Sequence, residues 1–193
     1  MSTPLHIDDL RALANTGVRL KYVFFWRDTP RVPGTLDSAC FSQWYPSPFD
    51  LDGCHYPTAE HYMMSEKARL FGDDEVRARV LAAPHPGAAK KAGRDVRGFV
   101  ESTWNEKRFD IVVRGNIAKF EQHPDLRDYL THTGERILVE ASPRDLIWGI
   151  GLAADDPRVE EPAAWPGLNL LGFALMAVRD QLRSKPPSAA PGR

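Results

Sequence analysis

The sequence predicts one compact, helix-rich α+β domain with a small β-sheet, spanning residues 19–184. Three observations predict it. Apolar residues recur at helical spacing in several segments, while strand-like runs are few and short. An Asp52-Gly53 pair between two short apolar-alternating arms marks a hairpin. The length, 193 residues, suits one domain with extensions. Residues 1–18 read as an N-terminal extension and residues 185–193 as a disordered tail, because Pro-Pro-Ser-Ala-Ala-Pro-Gly cannot bury enough apolar surface to order itself.

Leu5, Leu10 and Leu13 space a short helix within Thr3 to Asn15, ended by Gly17. Arg19 to Trp26, rich in aromatic and branched residues, reads as a strand. Pro30, Pro33 and Gly34 make the next stretch a loop. Cys40 to Tyr45 is a second strand candidate, and the hairpin Phe49 to Tyr56 runs straight into the best-defined helix, Tyr56 to Gly72. Thr58 is its N-cap, Glu60 sits where the helix dipole favours a negative charge, and Gly72 supplies the left-handed stop.

Asp73 or Asp74 caps a further helix that halts at Pro84. After a basic segment, Ser102 caps a long helix running through Trp104 to Phe120. Gly115 interrupts it, at about 1 kcal/mol relative to alanine, and signals close approach of another backbone. Pro124 closes it; a short helix (Asp125 to Thr131) and a short strand (Ile137 to Glu140) follow. Ala153 to Trp165 is an acidic, proline-rich surface loop, and Asn169 caps the last helix, with Leu170, Leu171, Ala174, Leu175, Val178 and Leu182 on its buried face.

Lys and Arg number 25 against 26 Asp and Glu, a formal net charge of −1. That excludes a general nucleic-acid coat or a polybasic membrane binder, but leaves room for a local basic groove. Cys40 and Cys54 form no CxxC or zinc-ligand spacing and point to a reduced, cytoplasmic setting. There is no signal-peptide pattern and no apolar run near the roughly 20 residues a bilayer span needs, so neither a membrane nor a metal is expected.

The chemistry-bearing residues lie mainly on the central helix. Met63, Met64, Leu70 and Phe71 make an apolar stripe, and Glu60 and Lys67 fall on the same stripe two turns apart. Helical side chains lean toward the N-terminus, so Lys67 is expected to reach back toward Glu60. A charged pair on a core-facing stripe breaks binary patterning, and such breaks concentrate at functional sites. The other reading is a pair whose long stems snorkel to the surface. Lys90, Lys91, Arg94 and Arg97 around Gly93 are either a solvated helical face or a phosphate clamp in which Arg94 grips two oxygens. Trp148 beside Gly149 and Gly151 suits a loop whose backbone approaches a ligand while the indole stacks on it; the alternative is a buried Trp beside a tight turn. His55, His61, His123 and His132 are scattered and read as satisfied core or surface histidines.

Several stretches, in order, resemble the NADAR superfamily of YbiA-like proteins. They are Phe41-Ser42-Gln43-Trp44-Tyr45-Pro46; Tyr56 to Met64 with Lys67-Ala68; Gly93-Arg94-Asp95-Val96; Trp104; Lys119-Phe120; Leu138 to Pro143 with Ile147 to Gly151; and Asn169-Leu170-Leu171-Gly172. The resemblance runs from about Tyr22 to Leu182. It implies a helix-rich α+β fold and cleavage of N-glycosidic bonds. The substrates it implies are early riboflavin-pathway intermediates carrying ribosyl phosphate, or ADP-ribose on guanine, with ADP-ribosylated DNA as one partner. It makes Glu60 and Lys67 the catalytic candidates, Arg94 a phosphate or ribose contact, and Trp104 and Trp148 pocket aromatics. Phe41, Ser42, Gly149, Gly151 and Asn169 complete the implied substrate-binding set, with no cofactor beyond an ADP-ribose- or NAD-like ligand as substrate or product. One position departs: some members carry an acid in a Trp-Gly-Asp-Gly loop, where this chain has Ile150, so any role for that acid is absent or shifts to Asp145.

Cleaving an N-riboside passes through an oxocarbenium-like sugar, which a carboxylate such as Glu60 can stabilise or serve by moving protons. A neutral Lys67 could instead attack the anomeric carbon and hold the sugar as a Schiff base. Burial lowers the lysine pKa while a nearby Glu60 raises it. Two other readings stand beside the enzyme: a binding module for NAD or ADP-ribose that releases its ligand unchanged, and an interaction domain with a decayed pocket.

Overall fold

The computed structural model describes residues 3–184. Its first helix, α1 (Ile7–Asn15), buries Ile7 and Leu10, and Gly17 at φ +78° turns the chain away. The Arg11 side chain donates to the carbonyls of Pro162 and Trp165 at 3.2 and 3.1 Å, which fastens α1 to the segment before the last helix. Strand β1 (Tyr22–Phe25) follows. The hairpin is β2 (Phe49–Leu51) and β3 (Cys54–Tyr56), paired antiparallel, with both turn residues in the left-handed region, Asp52 at φ +53° and Gly53 at +74°.

The chain then enters α2 (Ala59–Leu70), which α3 (Asp74–Leu81), α4 (Pro86–Ala92) and α5 (Glu101–Gln122) surround. Thr58 accepts from the His61 N–H, Gly72 takes φ +67°, and Asp73 caps α3 by accepting from the Val76 N–H. Next come α6 (Pro124–Thr131), β4 (Ile137–Glu140), and α7 (Leu170–Ser184). Strand β4 pairs parallel with β1, from Tyr22 opposite Ile137 to Phe25 opposite Glu140. Helix α7 packs on β4 and α5, burying Leu171, Phe173, Leu175, Val178 and Leu182. The architecture is the predicted α+β domain, with its strands split into two separate pairs. No helix among the described residues is long and apolar enough to cross a membrane. The tail predicted over 185–193 lies outside the described residues.

Several expectations change. Cys40 to Tyr45 is not a strand. Ser38–Phe41 forms a 3-10 turn capped by Asp37, and the Cys40 and Ser42 carbonyls are taken by the buried Lys119 ammonium at 2.7 and 3.2 Å instead of by a neighbouring strand. Ser102 does not cap α5, which starts at Glu101 after Val100. Gly115 does not interrupt α5, and the close approach there is a side chain. A Cβ at Gly115 would stand 2.3 Å from the Tyr62 ring, so the glycine lets α2 and α5 close together. Nor is α2 amphipathic: nine of its twelve residues are buried, Glu60, His61, Ser65 and Glu66 among them, because helices cover it on several sides. His61 is a satisfied core histidine, its ring bonded to Thr58 Oγ1 and the Ala83 carbonyl.

Candidate active site

The first turns of α2, the segment Ser42 to Trp44, the end of α4, the start of α5 and the loop after β4 enclose one cleft. Its inner part, about 260 Å³, is lined by Glu60, Met63, Met64, Lys67, Trp104 and Trp148. The outer part, about 750 Å³, adds Trp26, Arg27, Ser142 and Arg144. Ser42, Trp44, Lys90, Arg94, Glu140 and Asp145 line both, so the two are continuous. A concave site with an apolar floor and a few convergent polar groups is the form a small-molecule site takes. Another concavity, about 480 Å³, lies where β1 and β4 begin, among Leu13, Val18, Leu20, Ile137 and Met176, with Arg and Lys side chains at its edge. Its one lining carboxylate, that of Glu135, is exposed and paired with Arg183.

The wall that carries Ser42 and Trp44 is pinned from three directions. Lys119 holds the Cys40 and Ser42 carbonyls, the Asn116 side-chain amide donates to Gln43 Oε1 at 2.9 Å, and the Glu60 N–H donates to the Gln43 carbonyl at 2.9 Å. The last bond satisfies one of the free donors in the first turn of α2 and fixes Glu60 against this wall.

Glu60 and Lys67 line the same pocket as Trp148, but they are not paired. Lys67 Nζ donates to the Gly93 carbonyl at 2.8 Å and lies 4.4 Å from the centre of the Phe99 ring. The expected reach back toward Glu60 fails because the 3-10 turn Gly93–Asp95 sits against α2 and offers a nearer acceptor. Close packing admits that turn: a Cβ at Gly93 would meet the Met64 sulfur at 2.3 Å. Burial alone pushes the Lys67 pKa down, with no carboxylate countering it.

Glu60 is 2% exposed, and its Oε1 has no hydrogen-bond partner among the described residues. Burial raises its pKa to about 7; Lys90, the Trp44 side chain and Arg94 pull it down, and Asp145 pushes it further up. Glu140, the last residue of β4, behaves alike. Its Oε2 is buried and unpartnered among the described residues, and burial, then Asp145 and Glu60, raise its pKa to about 8 against the pull of Lys90. A carboxylate raised on folding makes the native state bind the extra proton, so stability falls as pH climbs from the ordinary carboxylate value through the raised one. Glu60→Gln carries no such proton. Its melting temperature relative to the wild type should therefore rise between pH 5 and pH 8, as scanning calorimetry at both pH values would measure.

The structure brings Glu60, Lys67, Ser42, Arg94, Trp104 and Trp148 to the cleft. It does not bring Phe41, Gly149, Gly151 or Asn169 there. Phe41 is wholly buried, packed on Phe25 and Tyr129. Gly149 is close to its own chain, since a Cβ would stand 3.0 Å from the Glu140 carbonyl, and Gly151 makes a left-handed turn at φ +74°. Asn169 precedes α7 but does not cap it with its side chain; its Nδ2 donates to the Leu138 carbonyl at 2.9 Å and its Oδ1 accepts from the Glu140 N–H at 3.0 Å. Of the basic segment, Lys90 and Arg94 face the cleft, whereas Arg97 grips the buried Asp73 at 2.6 Å and holds the start of α3. Ile150 is buried in the core, and Asp145 lines the cleft while its Oδ1 accepts from the Ile147 and Trp148 N–H groups. Sequence reading missed Trp44 and Glu140 as cleft residues, whereas Lys90 stood in the basic segment read as a phosphate clamp. A usable signal for Glu140 was a carboxylate closing the apolar run Ile137-Leu138-Val139. Among the described residues no three His, Cys, Asp or Glu side chains are placed to hold a metal.

A family model described as NADAR domain matches residues 24–183. The chain is 43% identical over 166 residues to N-glycosidase R617 of Acanthamoeba polyphaga mimivirus, covering 83% of this chain and 96% of that protein. It is 32% identical over 146 residues to N-glycosidase YbiA of Escherichia coli strain K12, covering 76% of this chain and 81% of that one. The NMR structure of the E. coli protein YbiA superposes with a TM-score of 0.67 at 27% identity, covering 94% of both chains. The match to that fold runs through the helix and loops that build the cleft, and with the family model it establishes that this chain belongs to the NADAR family.

Proposed function

We propose that this chain is an N-glycosidase that hydrolyses the N-ribosidic bond of a phosphate-bearing riboside. Its substrate is either ADP-ribose linked to guanine, in DNA among other forms, or an early riboflavin intermediate carrying ribosyl phosphate. The observation that carries this reading is the placement of Glu60 and Lys67 on one pocket wall with two tryptophans beside them, opening onto Lys90, Arg94 and Arg144. Names borne by the relatives, N-glycosidase in three organisms, support the reaction class. The scheme needs no cofactor, and free Cys40 and Cys54 fit work in the reducing cytoplasm.

In this reading the cations of the outer cleft hold the phosphate, and the sugar enters the inner pocket. Lys67, kept toward its neutral form by burial, attacks the anomeric carbon. The Glu60 carboxylate stabilises positive charge developing on the sugar, in a site where burial strengthens the interaction. Trp104 and Trp148 shield the sugar from water.

Arg94→Ala should raise KM about tenfold or more and leave kcat nearly unchanged, because a charge-assisted phosphate contact contributes about 1.5–3 kcal/mol to binding. Steady-state kinetics checks it. The reading itself is tested by incubating the protein with DNA carrying guanine-linked ADP-ribose and, separately, with early riboflavin intermediates, then looking for released base by chromatography. Release from either supports it. Tight binding of ADP-ribose with no base released from either would instead mark a binding module.

A further inference from the structure

Resting on the reading above, we propose that Glu140 is the general acid of this site, the group that hands a proton to the departing base. Four observations carry it. Glu140 lines the same cleft as Glu60 and Lys67. Its Oε2 is buried with no hydrogen-bond partner among the described residues, so the side chain is held for something the protein itself does not supply. Its backbone is fixed, the N–H by Asn169 Oδ1 and the carbonyl by the N–H groups of Ser142 and Ile150. And its electrostatic surroundings differ from those of Glu60.

That difference decides which carboxyl holds the proton. Glu60 stands in the first turn of α2, where the helix dipole favours its charged form, and Lys90, Trp44 and Arg94 all act in the same direction. Glu140 ends a strand, which offers no such dipole. The groups that act on it are Asp145 from the following loop, Lys90 from α4 and Glu60 from α2; two of these three are acidic. The Asp145 Oδ1 accepts the Ile147 and Trp148 N–H groups, which fixes the carboxyl beside this cleft. Two interacting carboxyls in unequal fields divide the roles: as pH rises Glu60 ionises first, near 7, while Glu140 still holds its proton. They titrate as a pair, and Glu140 keeps its proton to about pH 8.

The step balances. As the neutral Lys67 nitrogen bonds to the anomeric carbon, the bond from that carbon to the base nitrogen breaks, and its electron pair goes to that nitrogen, which takes the proton of neutral Glu140. The Glu140 carboxylate so formed then takes a proton from the water whose hydroxyl displaces Lys67 from the sugar, and the lysine leaves as the neutral amine. Glu140 ends as it began, and the net reaction consumes one water.

Base release from DNA carrying guanine-linked ADP-ribose is measured between pH 5 and pH 10. The wild-type kcat should fall as pH rises past about 8, where the acid is lost. Glu140→Gln, an isosteric change, should lower kcat about 10²- to 10⁴-fold with KM little changed, and the alkaline fall should vanish. Glu140→Asp, which keeps an acid on a shorter stem, should retain the alkaline fall at a reduced rate. A Glu140→Gln variant with wild-type kcat, or with the alkaline fall intact, would overturn the proposal, as would a loss confined to KM. If the wild type releases no base from either substrate class, the glycosidase reading fails first and takes this one with it.

Discussion

Replacing Lys67 with alanine should lower turnover by about 10³-fold or more while affinity for the substrate stays within the same order, the pattern left when a nucleophile is lost. Lys67 Nζ is bonded to a neutral carbonyl, that of Gly93, and no carboxylate acts on it among the described residues. The structural Lys119 is likewise bonded to carbonyls, so the carbonyl contact alone does not mark a reactive lysine. One serving as a nucleophile needs a neutral amine, and burial supplies the push toward it. Lys67→Arg sharpens the test. Arginine keeps the charge and reach but cannot shed its proton, so it should be as inactive as alanine. If Lys67 only held a phosphate or a ribose hydroxyl, arginine would recover much of the rate and alanine would weaken binding. Single-turnover kinetics on both variants, with affinity measured separately, distinguishes the two.

Asn169→Ala should cost about 3–5 kcal/mol and lower the melting temperature by roughly 10 °C. Asn169 is fully buried, and its side chain bridges the Leu138 carbonyl and the Glu140 N–H. Alanine removes both bonds and leaves a buried donor and a buried acceptor unpaired. It also leaves alanine at φ +54°, a left-handed conformation that asparagine tolerates better. The packing there is close: a Cβ at Gly172 would stand 2.1 Å from the Leu138 carbonyl. Asn169→Gly should recover only the strain and remain well below the wild type. Thermal melts of the three proteins separate the parts, and loss of activity in excess of the unfolded fraction would trace to a displaced Glu140.

Local physics made much of this legible in the sequence. The hairpin needed two left-handed residues and had Asp52-Gly53; α2 needed a cap and a stop and had Thr58 and Gly72. The pocket membership of Glu60, Lys67 and Trp148 followed from helix periodicity together with the family resemblance. What periodicity could not carry was partner choice. Lys67 has Gly93 beside it only because a 3-10 turn 26 residues later folds against α2. Cys40 to Tyr45 has strand-like residues, yet Lys119, 79 residues from Cys40, takes its carbonyls. Glu140 looked like the polar end of a strand until Glu60 and Asp145 met it in one cleft. Phe41 and Asn169 belong to family motifs, but as packing and bridging residues that hold the walls rather than line them.

The most direct test of Lys67 as the nucleophile is borohydride trapping during turnover, followed by mass spectrometry of the digested protein. A reduced sugar adduct is expected on the peptide carrying Lys67, dependent on substrate and absent from Lys67→Ala. Base release with no adduct under any trapping condition, or an adduct on Lys90 or Lys91 in its place, would contradict it.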